Sequence, residues 1–237
     1  MNDIVNAILL GIVEGLTEFW PASSTAHLLL FQDVLRFQPP GAVFPIVIQF
    51  GAILSVVVVY WNKFWRVLVG LPSEIGAQRF ALGVIIAFLP SAVIGALLHS
   101  FIKDVLFAPS IAPYVIATTL ILGGIIILVV ERIAPQPRYT NADTLPYAKC
   151  LQIGLCQVIS IIPGVSRSGA TIRGGELLGV DRKAAAEFTF YLAVPTMLGA
   201  SVLDVYSNRD VLTLDAGLTI AVGFVVSFLV AWVVVKT

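Results

Sequence analysis

Residues 11–27 read GIVEGLTEFWPASSTAH. An apolar helical run carries Glu14 and Glu18 one turn apart, breaks at Pro21, and passes through Ser23, Ser24, Thr25 and His27 before the apolar LLLF resumes. Two carboxylates four residues apart project from one face of a helix. So much polar chemistry inside a greasy run makes sense only if the backbone breaks there and the break is used.

The rest of the chain sets the solvent. Of 237 residues, 58% are hydrophobic and 12% charged, where a soluble domain carries roughly a quarter charged residues. Mean hydropathy is +0.97. Stretches 42–61, 80–98, 112–131, 185–206 and 216–235 each approach the roughly 20 apolar residues that a helix needs to cross a bilayer. Zero net charge, with Lys and Arg scattered through short loops, gives no nucleic-acid surface. The opening lacks a basic leader and a small-residue cleavage signal, so it is expected to be retained. Cys150 and Cys156 match no metal or redox spacing and are read as packing residues.

Residues 4–36 and 150–180 are apolar but broken near their middles. Irregular backbone survives at membrane depth only inside protein or along a wet cavity, so each reads as a re-entrant pair of half-helices. The second, GLCQVISIIPGVSRSGAT (154–171), runs like the first from a Gly–apolar pair to a Pro and a Ser-rich tip. Each broken segment is followed by a full span, a polar loop and another full span. That order divides the chain into repeats 1–133 and 150–237 within one membrane domain.

Loop charge orients the repeats. WNKFWRVLVGLPSEIGAQRF holds Lys63, Arg66 and Arg79, whereas its counterpart DVYSNRDVLTLD holds three aspartates and one arginine. By the positive-inside rule these loops lie on opposite sides, with 132–149 inside and 99–111 outside. The expectation is therefore an all-α membrane protein with an inverted-topology repeat, two re-entrant hairpins and five to six spans. The first hairpin enters from outside and the second from inside. The last span of the second half is expected to be missing.

Paired buried carboxylates require a cation or a shared proton. Mg²⁺ takes one or two carboxylates and completes its shell with water and phosphate oxygens, which makes Glu14 and Glu18 half of a phosphate site. A proton relay or a structural acid pair is the bland alternative. Ser24 and His27, at i,i+3, are close enough on a helix for imidazole to take the hydroxyl proton. In the second tip, Ser166, Ser168, Gly169 and Thr171 surround Arg167. Hydroxyls, glycine and free N–H groups at a helix start suit an anion, and the guanidinium fork suits phosphate. A salt bridge from Arg167 to Glu14 or Glu18 is the alternative there. Gln49 and Glu187 are supporting groups or plain interhelix bonds, and Arg173 and Glu176 are spaced to pair with each other.

EGLTEFWPASSTAH followed by PGVSRSGATIRGGELLG resembles the two signature segments of the bacterial undecaprenyl-diphosphate phosphatases, integral membrane enzymes of the bacitracin-resistance type. IQFGAILSVVVVYW and FTFYLAVPTMLGASVLDVY are similar too, so the resemblance covers essentially the whole chain. It implies hydrolysis of undecaprenyl pyrophosphate to undecaprenyl phosphate and phosphate, recycling the lipid carrier of cell-wall synthesis. It also implies a multi-pass protein of the bacterial inner membrane, commonly a homodimer, with a periplasm-facing site and a divalent cation, Mg²⁺ or Ca²⁺. By position it places the motif acids at Glu14 and Glu18, the nucleophilic or activating pair at Ser24 and His27, and the phosphate-binding arginine at Arg167. Ser23, Thr25, Ser166, Ser168, Gly169 and Thr171 complete the substrate contacts. Ala26 stands where the family pattern usually has glycine. A phosphoserine, a phosphohistidine and direct attack by water all remain open. The competing class is a transporter or flippase for a phosphorylated lipid or small anion, because broken helices around a midplane anion site serve both.

Overall fold

A computed structural model describes residues 3–37, 43–207 and 217–236. Ten α-helices occupy them: α1 Asp3–Thr17, α2 Ser24–Val34, α3 Val43–Val59, α4 Trp61–Gly70, α5 Ile75–Phe101, α6 Ala112–Ile133, α7 Tyr147–Val158, α8 Arg167–Leu177, α9 Arg182–Ser207 and α10 Gly217–Lys236. Four of them, α5, α6, α10 and α9 over Arg182–Val202, are long and apolar enough to cross a membrane. A fifth span results if α3 and α4 count as one broken crossing. On α6, Ile121 and Leu128 are 65% and 68% exposed. Such residues along a helix that buries almost none of itself call for an apolar solvent.

The apolar stretches became helices close to their expected limits. Both broken stretches are pairs of short helices: α1 and α2 around residues 18–23, and α7 and α8 around a 3₁₀ turn at Ile159–Ile161 and the Pro163–Ser166 tip. The segment read as a polar loop after residue 61 is largely helical, as α4. Its charged residues interrupt an apolar run without breaking a helix. The loop 208–216, which carries much of the expected charge contrast, lies outside the described residues.

The chain forms two compact units. The first holds residues 1–20, 24–61 and 197–237. In it, α1 buries Asn6, Ala7, Leu10, Gly11, Glu14 and Gly15, a single stripe at helical spacing. This stripe meets α10 closely, since a Cβ on Gly11 would come within 2.7 Å of the Gly223 carbonyl. Small residues let backbones approach in this way, the packing mode of helices in lipid. Ser227 of α10 donates to the Ile48 carbonyl of α3 at 2.7 Å. Ala7, Leu10, Leu28, Phe37, Phe44 and Ile48 form the core.

The second unit holds residues 21–23 and 62–196. Here α7 lies against α5 so tightly that a Cβ on Gly154 would sit 2.2 Å from the Ala87 carbonyl. Its core gathers Ala87, Ile153, Ala184, Phe188 and Leu192. Lys63 of α4 ion-pairs with Asp143 and sits 4.6 Å from the Phe80 ring centroid. Arg173 pairs with Glu176 as its spacing suggested, and both belong to a ring with Glu131 and Arg182 closed by contacts of 2.6 to 2.8 Å. That ring ties the ends of α6 and α8 to the start of α9.

Candidate active site

The first tip is built by the end of α1 and the start of α2. The Glu18 amide donates to the Glu14 carbonyl at 3.0 Å, so helical geometry continues one residue past α1. Glu14 and Glu18 therefore leave one face a turn apart, and both are buried. The chain then turns through Ser23, which holds φ at 61°. A residue with a Cβ rarely sits in that left-handed region, and such strain clusters at functional sites. Ser24 opens α2 and donates its hydroxyl to Glu18 Oε2 at 2.5 Å in a buried contact. His27 follows three residues on in the same helix. The i,i+3 spacing points to His27 as the serine's partner, whereas the hydroxyl is committed to Glu18. A loop closure over six residues brings that bond about, and no helical periodicity reports it.

The second tip turns at Gly164 with φ at 86°. A Cβ there would meet Thr119 Oγ1 at 2.1 Å, and Thr119 donates to the Pro163 carbonyl at 2.8 Å. The turn is thus held against α6 at a place only glycine can occupy. Ser166 caps α8 by accepting from the Gly169 amide at 3.1 Å, and its hydroxyl lies 3.0 Å from that of Ser168. Arg167 is the first residue of α8, partly buried, with Nη1 3.5 Å from the Thr189 carbonyl.

Thr171 and Ser168 are fully buried. The Thr171 hydroxyl donates to the Arg167 carbonyl at 2.9 Å and accepts from Thr189 Oγ1 at 2.9 Å. The cradle's inner hydroxyls thus brace α8 from within the protein. Thr189, on α9, has no feature in the sequence that marks it for the site. A threonine inside an apolar span carries no local mark of the helix it will bond. Glu187, on the same helix, accepts from the Tyr191 hydroxyl at 3.0 Å.

Residues 21–23 pack with the second unit, where a Cβ on Gly169 would lie 3.3 Å from Pro21 Cβ. Pro21 and Gly169 are therefore neighbours within that unit. Among the described residues no three His, Cys, Asp or Glu side chains form a metal-binding group. The donor set is two carboxylates on one helix face, which fits a cation whose shell is finished by water and phosphate.

The chain as a whole resembles known proteins. The family model "Bacitracin resistance protein BacA" matches residues 7–237. The chain belongs to that family. It is 52% identical over 236 residues to undecaprenyl-diphosphatase 1 of Agrobacterium fabrum, covering all of this chain and 87% of the relative. The undecaprenyl-diphosphatase of Sinorhizobium fredii is 50% identical over 236 residues with the same coverage. That of Paracoccus denitrificans is 50% identical over 235 residues, 99% of this chain and 86% of the relative. Both tips lie inside the matched region.

Proposed function

We propose that the protein releases inorganic phosphate from undecaprenyl diphosphate and leaves undecaprenyl phosphate in the membrane. The observation that carries this reading is the buried bond from the Ser24 hydroxyl to the Glu18 carboxylate, in a chain of the bacitracin resistance family. A nucleophile within hydrogen-bond reach of a base is the arrangement acyl- and phosphoryl-transfer enzymes use to activate serine.

In this mechanism Glu18 takes the hydroxyl proton as Ser24 Oγ attacks the terminal phosphorus. The bond from that phosphorus to the bridging oxygen breaks, and undecaprenyl phosphate leaves with the bridging oxygen. Water then cleaves the phosphoserine, with His27 as its base, and phosphate departs. Arg167 and the N–H groups at the start of α8 bind the phosphoryl oxygens, where fixed donors are most effective in a site shielded from water. Ser23, Thr25, Ser166, Ser168, Gly169 and Thr171 shape the two tips around the headgroup. Glu14 and Glu18 would hold a divalent cation, Mg²⁺ or Ca²⁺, which when bound neutralises part of the diphosphate charge.

The finer architecture belongs to the same reading. The two short-helix pairs are re-entrant, and the halves are related as an inverted repeat. Supporting this, Gly11 meets α10 at Gly223 as Gly154 meets α5 at Ala87. Four residues beyond those contacts come Ser227 and Ser91. The Lys63–Asp143 pair holds basic helix α4 and the basic segment 132–149 at one end of their unit, in keeping with a shared cytoplasmic side. The site then opens to the periplasm of the inner membrane, and a homodimer is the assembly expected.

Purified protein in detergent, with no gradient, should release phosphate from a long-chain prenyl diphosphate. Rapid quenching with substrate labelled at the terminal phosphorus should trap label on Ser24. Release without covalent label would replace Ser24 by water. Transport of the lipid in vesicles with no release would establish the rival transporter class.

A further inference from the structure

Gln157 is fully buried on α7, six residues before Pro163. A primary amide offers two donor hydrogens and an acceptor, and burying it without partners costs several kcal/mol. Here Nε2 donates to Ser91 Oγ at 2.6 Å and to Thr196 Oγ1 at 3.2 Å. Thr196 Oγ1 lies 3.4 Å from Gln157 Oε1 and donates to the Leu192 carbonyl at 2.7 Å. Ser91 Oγ donates to the Phe88 carbonyl at 3.0 Å.

Both hydroxyls stand next to a proline. Pro90 lies inside α5 and Pro195 inside α9. A proline removes one link of the helical ladder and makes that turn the place where a helix bends. One amide therefore joins the half-helix that carries the second tip to the bendable turns of two long helices.

The repeat gives this position a second meaning. Aligning Gly11 with Gly154 sets Glu14 against Gln157, each three residues after a glycine that touches another helix's backbone. Both side chains are fully buried. The first half has a carboxylate where the second has its uncharged isostere. An ionised carboxylate between Ser91 and Thr196 would demand a cation at this place too, whereas the amide needs only the two hydroxyls.

We propose that Gln157 is a positioning residue for the phosphatase reaction: as the neutral counterpart of Glu14, it fixes α7 on α5 and α9 and thereby sets where the Arg167 tip stands. It touches no reacting atom and acts through α7. The proposal rests on the phosphatase reading, so its test has one arm that needs no activity.

In the first arm, Gln157→Leu keeps the volume and removes the bonds. It should lower kcat about thirtyfold with KM within about twofold, because a displaced arginine is felt mainly where transition-state charge develops. Thr196→Val, the milder variant, should lower kcat about fivefold, Thr196→Ser should restore it, and adding Thr196→Val to Gln157→Leu should cost little more, as one shared network requires. In the second arm, a Val165→Cys reporter is placed in protein whose Cys150 and Cys156 have been replaced by alanine. Its rate of modification by a water-soluble thiol reagent should change at least fivefold with Gln157→Leu, and with Thr196→Val in the same direction. If the reporter rate moves while the parent protein releases no phosphate, the phosphatase reading fails and the positional claim for Gln157 stands. Unchanged reporter rates, or kcat within twofold of the parent in both Gln157→Leu and Thr196→Val, would overturn the proposal. Should Gln157→Leu not fold, the Thr196→Val and Thr196→Ser pair decides by the same two readouts.

Discussion

The two tips share a plan and differ in charge. Each follows a short apolar helix, turns after a proline through a residue with positive φ, and starts a new helix with a serine close by. In the first the turning residue is Ser23 at 61°, and in the second it is Gly164 at 86°. The first gathers two carboxylates and gives its serine to one of them, while the second gathers an arginine and uses its hydroxyls to brace the helix that carries it. Gln157 follows the tightly packed Gly154 by three residues, as Glu14 follows Gly11. In the proposed mechanism one backbone device thus serves twice, once for a nucleophile and its base and once for the anion the nucleophile attacks.

The comparison breaks first at its charged ends. Glu18→Gln removes the acceptor of the serine proton, and Arg167→Ala removes the guanidinium fork. Each should reduce phosphate release about a thousandfold, about 4 kcal/mol of transition-state stabilisation. The Arg167→Ala variant should also lose trapped phosphoserine in a single turnover with excess enzyme. If either variant folded and turned over within tenfold of the parent, the specialisation of the tips would be wrong.

Next comes the turning residue of the second tip. Gly164→Ala meets two obstacles, a left-handed backbone and a Cβ position 2.1 Å from Thr119 Oγ1. Left-handed strain costs about 1 kcal/mol for an L-residue, and steric displacement of a packed neighbour adds about 1–3 kcal/mol. Thermal unfolding in detergent should therefore fall by several degrees. Thr119→Ala in the same protein, which removes the clashing hydroxyl, should recover little, because the backbone term persists and Ile116 Cα also lies 2.9 Å away.

Much of this architecture was legible in the sequence, for a physical reason. Lipid demands long apolar helices, and the runs 112–131 and 216–235 end within about two residues of α6 and α10. The two broken segments declared themselves because Pro, Gly, Ser and charge have no other business in such runs. Side-chain partners were less visible. Ser24 reaches Glu18, Thr189 reaches Thr171 across 18 residues, and Gln157 reaches Ser91 across 66. Such bonds depend on how helices dock, and docking here is set by small residues such as Gly11 and Gly154 whose contacts leave no local pattern. Helix α4 was hidden differently, since Lys63 and Arg66 mark a loop by composition while the backbone stays helical through them.

The smallest effect sharpens the comparison most. If Ser23 holds its left-handed φ only because the tip requires it, Ser23→Gly should relieve that strain and leave the described bond between Ser24 and Glu18 possible. Against this, glycine gives the unfolded chain more freedom, which opposes the gain. The two terms are each about 1 kcal/mol and of opposite sign, so the melting temperature should move by no more than a few degrees. Activity should fall about threefold to tenfold, because a glycine turn samples orientations in which Ser24 leaves the carboxylate, and the loss should appear in kcat. The matching change in the second tip, Gly164→Ser, should be far more harmful, since Thr119 occupies the space its side chain would need. Equal outcomes at the two positions would mean that positive φ is incidental at both; unequal ones would show that the first turn holds strain for its serine while the second only makes room.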